Sequence, residues 1–280
     1  MSIAIDTLAD EDIGDALALS TGEGWNQTDA DWRRLLRLAP ERCFAARVAG
    51  RLVGTVTTTI YDRGLAWIGM MIVHPTARRQ GIGAALMTCA LEHLDAAGVS
   101  CVKLDATPAG QPLYHRLGFE KDVSFERWMG VATPTDSSAS APRNVFALDD
   151  VLALDRAAFG ADRSRFLTEL VDDALAASVV RESDPGALGY GLARNGRIAI
   201  YLGPIVATDG TLAAQLFDGF IARFRAREVC IDLSSTGLLD PSRLVAAGLA
   251  PTRPLMRMRR GDMATPTPAT LCASAGPEYG

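Results

Sequence analysis

The sequence predicts an α/β (α+β) chain in which one strand-and-helix plan is written twice. Three observations carry that reading. Apolar runs of strand character alternate with amphipathic runs along the whole length. The order of these elements in residues 1–130 recurs in residues 144–261. Between them, "VATPTDSSASAPRN" has no apolar period and is rich in Pro, Ser, Thr and Ala, the composition of a linker. The expected organisation is therefore an N-terminal domain (1–130), a linker (131–143), a C-terminal domain (144–261) and a flexible tail (262–280).

The bulk properties fit two ordinary domains. The chain has 280 residues, 48% of them hydrophobic, enough to bury two cores. A net charge of −5 argues against nucleic acid as a partner, because phosphate contacts need clustered Lys and Arg. The five cysteines show no metal-ligand spacing and no Cys-x-x-Cys, and three histidines add no ligand pattern, so no metal is expected. The acidic start "MSIAIDTLADED" is unlike a secretory signal, and no apolar run reaches membrane-spanning length. These features lead to the expectation of a cytoplasmic protein with no membrane partner; a homo-oligomer is compatible with them.

In the first half, a strand is expected near residues 3–8 and a helix over 11–20. Thr28 with Asp31 three residues on forms a capping-box pattern that starts a second helix. Strands follow at 43–48 and 52–61, joined by a tight turn at Ala49-Gly50. "WIGMMIV" (67–73) is almost unbroken apolar sequence, as in a strand covered on both faces, and Gly69 within it is consistent with a bulge. Ile82, Leu86, Cys89, Ala90, Leu94 and Ala97 mark one face of a helix that Gly98 ends. "CVKLDA" reads as a strand, "PLYHRLG" as a proline-led short helix and residues 123–130 as a last strand.

The second half follows suit. "FALDDVLALDRAAFG" and "RSRFLTELVDDALAA" read as helices, and "GALGYGLARNGRIAIYLGPIVA" as a hairpin turned at Asn195-Gly196. "TLAAQLFDGFIARFRA" is the long helix, "EVCIDLSS" a strand, "PSRLVAAGLA" a short helix and "PLMRMRRG" the last strand. "IGMMIVHP" corresponds to "LGPIVATD", "SCVKLDA" to "EVCIDLS", and "LYHRLGF" to "LVAAGLA". The tail, "MATPTPATLCASAGPEYG", resembles the linker in composition and is expected to be disordered.

The stretch "VHPTARRQGIGAALM" joins the apolar strand to the central helix of the first half. A helix start exposes unpaired N–H groups and the positive end of the macrodipole. Glycines let an anion approach the backbone, and Arg78 and Arg79 add charge, so the turn is suited to a pyrophosphate. A Walker A loop is excluded by the missing Lys, and a Rossmann fingerprint by Leu86 where a third small residue is needed. The remaining pattern is Arg/Gln-x-x-Gly-x-Gly/Ala.

With "VHP" before it and "LYHRLGF" after the next strand, this stretch resembles the GNAT superfamily of acyl-CoA-dependent N-acyltransferases. The resemblance is strong over residues 3–130 and weaker over 144–261. The arrangement looks like tandem GNAT proteins with a degenerate, YitH-type second domain. It implies two tandem GNAT folds, each a mixed, mostly antiparallel central sheet flanked by helices. It also implies transfer of an acyl group, most often from acetyl-CoA, to an amine, with no metal.

On that resemblance the co-substrate would be held by Met71, Ile72 and Val73 along the strand and by Arg78, Arg79, Gln80, Gly81, Ile82, Gly83 and Ala84 at the turn. Tyr114 would serve the departing thiol. Asp105, at a strand end, is the leading candidate base, ahead of Glu23 and of Asp29 and Asp31, the last two of which suit a helix start. Trp25 and Asn26 would border the acceptor. The second half has "ATDGTLAAQ" opposite the Arg-rich turn and Leu244 opposite Tyr114, so a single active site in the first half is expected. The second half would wall the acceptor pocket, with the sheet running on across the boundary. The expected acceptor is a small-molecule amine. A protein or peptide N-acetyltransferase, which needs an open groove, and a non-catalytic acyl-CoA sensor, which could dispense with Tyr114, are the alternatives.

Overall fold

The computed structural model describes residues 3–39, 42–134, 148–181, 187–262 and 270–280. Most of the expected linker lies outside the described residues, and Val131, at its start, ends a strand. The first half comprises β1 (Ile3–Thr7), α1 (Ile13–Gly22), α2 (Asp29–Leu38), β2 (Cys43–Val48), β3 (Arg51–Ile60), β4 (Ala66–Val73), α3 (Ile82–Ala96), β5 (Cys101–Ala106), α4 (Gln111–Arg116) and β6 (Glu120–Val131). The second comprises α5 (Leu148–Phe159), α6 (Ser164–Asp172), β7 (Ala174–Arg181), β8 (Ala187–Arg194), β9 (Ile200–Ala207), α7 (Gly210–Arg223), β10 (Glu228–Ser234), α8 (Pro241–Ala246), β11 (Leu249–Gly261) and β12 (Leu271–Ala273).

Local chemistry sets many of these boundaries. The Thr28–Asp31 capping box forms, with the Thr28 N–H donating to Asp31 Oδ2 at 2.8 Å. Ala49 and Gly50 both take positive φ, which closes the β2–β3 hairpin. Gly98, at φ +71°, follows α3. Two expectations fail. "ALAASVVR" continues no helix; it is β7, the edge strand of the sheet, because α6 stops at Asp172. The β-branched Val179 and Val180 favour the extended form there. The tail beyond residue 270 is not loose either. Cys272, Ala273, Ser274 and Tyr279 are fully buried.

The twelve strands among the described residues lie in one sheet, ordered β1-β2-β3-β4-β5-β11-β6-β10-β12-β9-β8-β7. Its pairings are mostly antiparallel, with parallel contacts at β4–β5 and β9–β10, and helices flank it. The sheet does not divide where the sequence does. β11 runs antiparallel between β5 (Met256↔Ala106 to Gly261↔Cys101) and β6. β6 in turn lies between β11 and β10 (Glu228↔Val131 to Ser234↔Phe125). Each half thus lends the other a strand. The largest core is shared as well, with Trp32, Leu35 and Met70 from the first half packing with Phe166, Leu167, Tyr190 and Tyr279.

The seam is tied by buried ion pairs. Arg127 on β6 donates two hydrogen bonds to Asp232 on β10 (2.7 and 2.6 Å), and Tyr201 donates a third (2.9 Å). Arg194 on β8 bridges Asp31 on α2 (3.2 Å) and Glu278 in the tail (2.7 Å). Buried charges hold their place when they are paired and fully hydrogen-bonded. These pairs therefore fix the register between halves rather than adding bulk stability.

Candidate active site

β4 and β5 pair in parallel only at Ala66↔Val102 and Trp67↔Lys103. Beyond that point β4 makes no further pairing with β5, so its end has an open edge. A bulge sits there. Gly69 pairs with Thr57 and Ile72 with Thr55, leaving Met70 and Met71 opposite one residue. Met70 takes φ +48°, and its carbonyl accepts from Thr55 Oγ1 at 2.7 Å. The bulge lies one residue past Gly69. Gly69 itself answers to close approach: a Cβ there would lie 2.7 Å from the Glu278 carbonyl oxygen.

Past Val73 the chain turns into α3. Gly81, at φ +82°, is the residue before the helix, a conformation that suits glycine. The Ala85 N–H donates to the Gly81 carbonyl at 3.0 Å, so the N–H groups of Ile82, Gly83 and Ala84 precede the first helical bond. Gly83 faces the end of β4, where a Cβ would meet the flexible tip of Met71 at 2.9 Å. The two arginines diverge. Arg78 is engaged, its Nε donating to the Val73 carbonyl at 2.9 Å and its Nη2 paired with Glu23. Arg79 is exposed, takes φ +65° and makes no ion pair among the described residues. Gln80 donates weakly to the Thr76 carbonyl at 3.5 Å.

The open edge of β4 gives onto a cleft of about 540 Å³. Its walls come from three parts of the chain. The first half supplies Trp25 and Gln27, Ile68 to Met71, Leu104, Asp105, Thr107 and Tyr114. The exchanged strand β11 supplies Arg253 and Leu255, and the tail supplies Pro277 and Glu278. The tail is anchored by Trp67 Nε1 to the Pro277 carbonyl (2.9 Å) and by the Tyr61 hydroxyl to the Tyr279 carbonyl (2.6 Å).

Tyr114 lines the cleft from α4, its ring edge-on to Phe119. Its hydroxyl makes no hydrogen bond among the described residues, and burial pushes its pKa up to about 12. Asp105 also lines the cleft, but both oxygens accept from Arg257, at 2.9 and 3.0 Å. Burial raises its pKa against the pull of Arg257. A carboxylate clasped bidentately suits a fixed counter-ion better than a base. Glu278 accepts from Arg194 through Oε1 and from Gln27 through Oε2, both at 2.7 Å. Its pKa is raised too, by burial first and by Asp31, against Arg194.

Trp25 borders the cleft, but Asn26 does not. Its side chain is spent on the β8–β9 loop, donating to the Ala199 carbonyl (2.9 Å) and accepting from the N–H groups of Ile198 (2.8 Å) and Ala199 (3.0 Å). The residue that reaches the cleft is its neighbour Gln27. Asp29 pairs with Arg33 at the surface, and Asp31 with buried Arg34. Gln27, Arg253 and Glu278 carry no motif in the sequence. Only the strand exchange and the course of the tail bring them together.

The corresponding places in the second half are filled. β9 and β10 pair only at Ile200↔Val229 and Tyr201↔Cys230, then part as β4 and β5 do. β12 occupies that gap, pairing with β9 (Leu271↔Val206) and β10 (Ala273↔Leu233). At the start of α7 the Asp209 carboxylate accepts from the N–H groups of Thr211 (2.8 Å) and Leu212 (2.9 Å). Leu244 is fully buried. Among the described residues no helix is long and apolar enough to cross a membrane, and no cluster of three or more His, Cys, Asp or Glu could hold a metal.

Comparison with known proteins agrees with this geometry. A YitH protein of Bacillus subtilis, described as an uncharacterized N-acetyltransferase, is 28% identical over 75% of this chain and 74% of its own. A holothin acyltransferase of Pseudoalteromonas is 24% identical over 85% of this chain and 81% of its own. The crystal structure of a putative acetyltransferase from Pyrococcus horikoshii has the same fold, with a TM-score of 0.84 over 99% of this chain and 96% of that one, at 23% identity. A model described as acetyltransferase (GNAT) family matches residues 11–119, and a second, described as acetyltransferase (GNAT) domain, matches residues 151–271. Each half thus carries its own match, and the chain belongs to the GNAT acetyltransferases, with two such domains in tandem.

Proposed function

We propose that the protein transfers an acetyl group from acetyl-CoA to the amine of a small molecule, at one active site in the first half. The observation that carries this reading is the contrast between the two halves. The β4–β5 gap is open, flanked by a glycine turn and lined by a tyrosine. The β9–β10 gap is closed by β12, and the α7 N-terminus is capped by its own Asp209 carboxylate. An anion cannot use amides that a carboxylate already holds.

In this reading the free amides at Ile82 to Ala84, together with Arg79, hold the pyrophosphate of the co-substrate. Arg78, braced by Glu23 and the Val73 carbonyl, shapes the turn. The pantetheine amides pair with the free edge at Met71 to Val73, and main-chain N–H at the bulge stabilises the thioester oxyanion. The amine loses its proton to Glu278, directly or through water. Its lone pair attacks the carbonyl carbon, a C–N bond forms and the C–S bond breaks. The electron pair leaves on sulfur, which Tyr114 steadies by donating a hydrogen bond, and the second proton, which the nitrogen sheds as the amide forms, goes to the thiolate. Burial raises the Glu278 pKa above the ordinary carboxylate value, the direction that makes it a stronger base.

The enclosure of the cleft by β11 and the tail supports a small acceptor over a peptide. Thiol release from acetyl-CoA across a panel of small amines and N-terminal peptides tests the proposal. Turnover with small amines, and an acetylated product by mass, is expected. Release with peptides alone would favour a protein substrate, and no release with any amine, despite calorimetric binding of CoA, would favour a sensor.

A further inference from the structure

The charges at the cleft are paired with one exception. Arg257 is matched by Asp105, Arg194 by Asp31 and Glu278, and Arg127 just behind the wall by Asp232. Arg253 lines the cleft and makes no ion pair among the described residues. Its Nε is buried without a hydrogen-bond partner. Burial and the neighbouring Arg127 both act against its charge, and they outweigh the opposing pull of Asp232, Glu278 and Tyr201. A guanidinium does not escape such a setting by losing its proton. A half-buried guanidinium without a counter-ion instead favours an anion, and no carboxylate among the described residues pairs with it.

A second orphan faces the opposite way. Gln27 is 6% exposed and lines the same cleft, with its Nε2 given to Glu278. Its Oε1 is buried with no donor. Beside it lies the Glu278 carboxylate. The cleft therefore holds one group short of an acceptor and another short of a donor. Trp25, Leu104 and Leu255 supply apolar wall.

Resting on the proposed N-acetylation, we infer that the acceptor is an amine that also carries a carboxylate, an amino acid or a close derivative. Its ammonium is held by Gln27 Oε1 and Glu278, and its carboxylate by Arg253. A planar guanidinium matches a carboxylate with two parallel hydrogen bonds. The arginine is a specificity residue that arrives on β11, so the second half contributes to choosing the acceptor.

The test uses the full chain and matched pairs of amines, each amino acid against its carboxamide and its decarboxylated amine, with acetyl-CoA as donor. Losing one charged hydrogen-bonded contact predicts a kcat/KM for the amino acid about 10- to 100-fold above that of either partner. In Arg253→Gln the ratio should fall close to unity, and Arg253→Lys should recover part of it. Arg253 makes no ion pair to lose, and thermal unfolding of the variant checks that the fold is kept. Calorimetry gives a second readout: an N-acetylated amino acid should bind the wild type more tightly than its amide, and the variant should show no difference. Amines acetylated without regard to the carboxylate would overturn the inference and leave the transferase reading intact. A preference for succinyl-CoA over acetyl-CoA that vanishes in Arg253→Gln would overturn it by assigning Arg253 to the acyl chain. No turnover with any amine would instead count against the transferase reading, and equal calorimetric binding of acid and amide would then overturn this inference separately.

Discussion

Replacing Tyr114 by Phe removes one hydroxyl and little else, so its effect can be worked out in advance. The phenol's pKa is raised to about 12 by burial, whereas a thiol leaves with a pKa of about 8.5. Full proton transfer from Tyr114 to the thiolate would run uphill by about 3.5 pH units, or about 5 kcal/mol. Tyr114 is therefore expected to donate a hydrogen bond to the leaving sulfur and to keep its proton. A hydrogen bond to a charged group is worth about 1.5–3 kcal/mol, so kcat should fall about 10- to 150-fold. The KM for acetyl-CoA should barely move, because the contact strengthens only as charge develops on sulfur. The fold should be unaffected within about 0.5 kcal/mol, since the hydroxyl has no partner to lose among the described residues. Steady-state thiol release, with a pH profile carried to about pH 10, is the assay. A variant that kept kcat within about twofold would remove the tyrosine from the mechanism. An alkaline limb below pH 10 that the Phe variant lacked would show that burial does not set its pKa as argued.

Three other changes probe the frame of the site. Gly69→Ala would place a methyl 2.7 Å from the Glu278 carbonyl oxygen and 2.9 Å from its Cα, both backbone atoms. The tail must shift, costing about 1–3 kcal/mol in urea unfolding and raising the KM for the amine more than that for acetyl-CoA. Gly81→Ala meets no atom within 4 Å but is strained at φ +82°; about 1–2 kcal/mol of that strain should appear as lost stability or weaker CoA binding by calorimetry. Asp232→Asn leaves buried Arg127 without its counter-charge, which should cost about 3–5 kcal/mol at neutral pH. The sign with pH follows from the carboxyl itself. Burial pulls its pKa up, but Arg127 and the bond from Tyr201 outweigh that and hold it below the ordinary aspartate value. Its contribution is full above the unfolded pKa of about 3.9 and is lost as pH falls through the lower folded value. Wild type and variant should therefore begin to converge in stability below about pH 4 and meet only below the lower folded value.

Sequence by itself determined what neighbours along the chain decide. The capping box at Thr28, the turn at Ala49-Gly50, the glycine turn before α3 and the apolar periods are effects of a few residues, and they recover nearly every element of the first half. The family resemblance pointed to Tyr114, and Asp105 stood out as a carboxylate at a strand end; both line the cleft. What only the tertiary structure decided is which distant segments complete that cleft. β11 enters between β5 and β6, bringing Arg253, and a tail of small and polar residues runs through the seam, bringing Glu278. The tail reads as loose because Ala, Ser, Gly and Pro give no apolar period. Small residues are nonetheless what a crowded channel admits, and the matching absence of a Cβ at Gly69 lies two hundred residues away in sequence. Pairings between strands far apart in the chain depend on what each can bury against the other, and no local pattern encodes that.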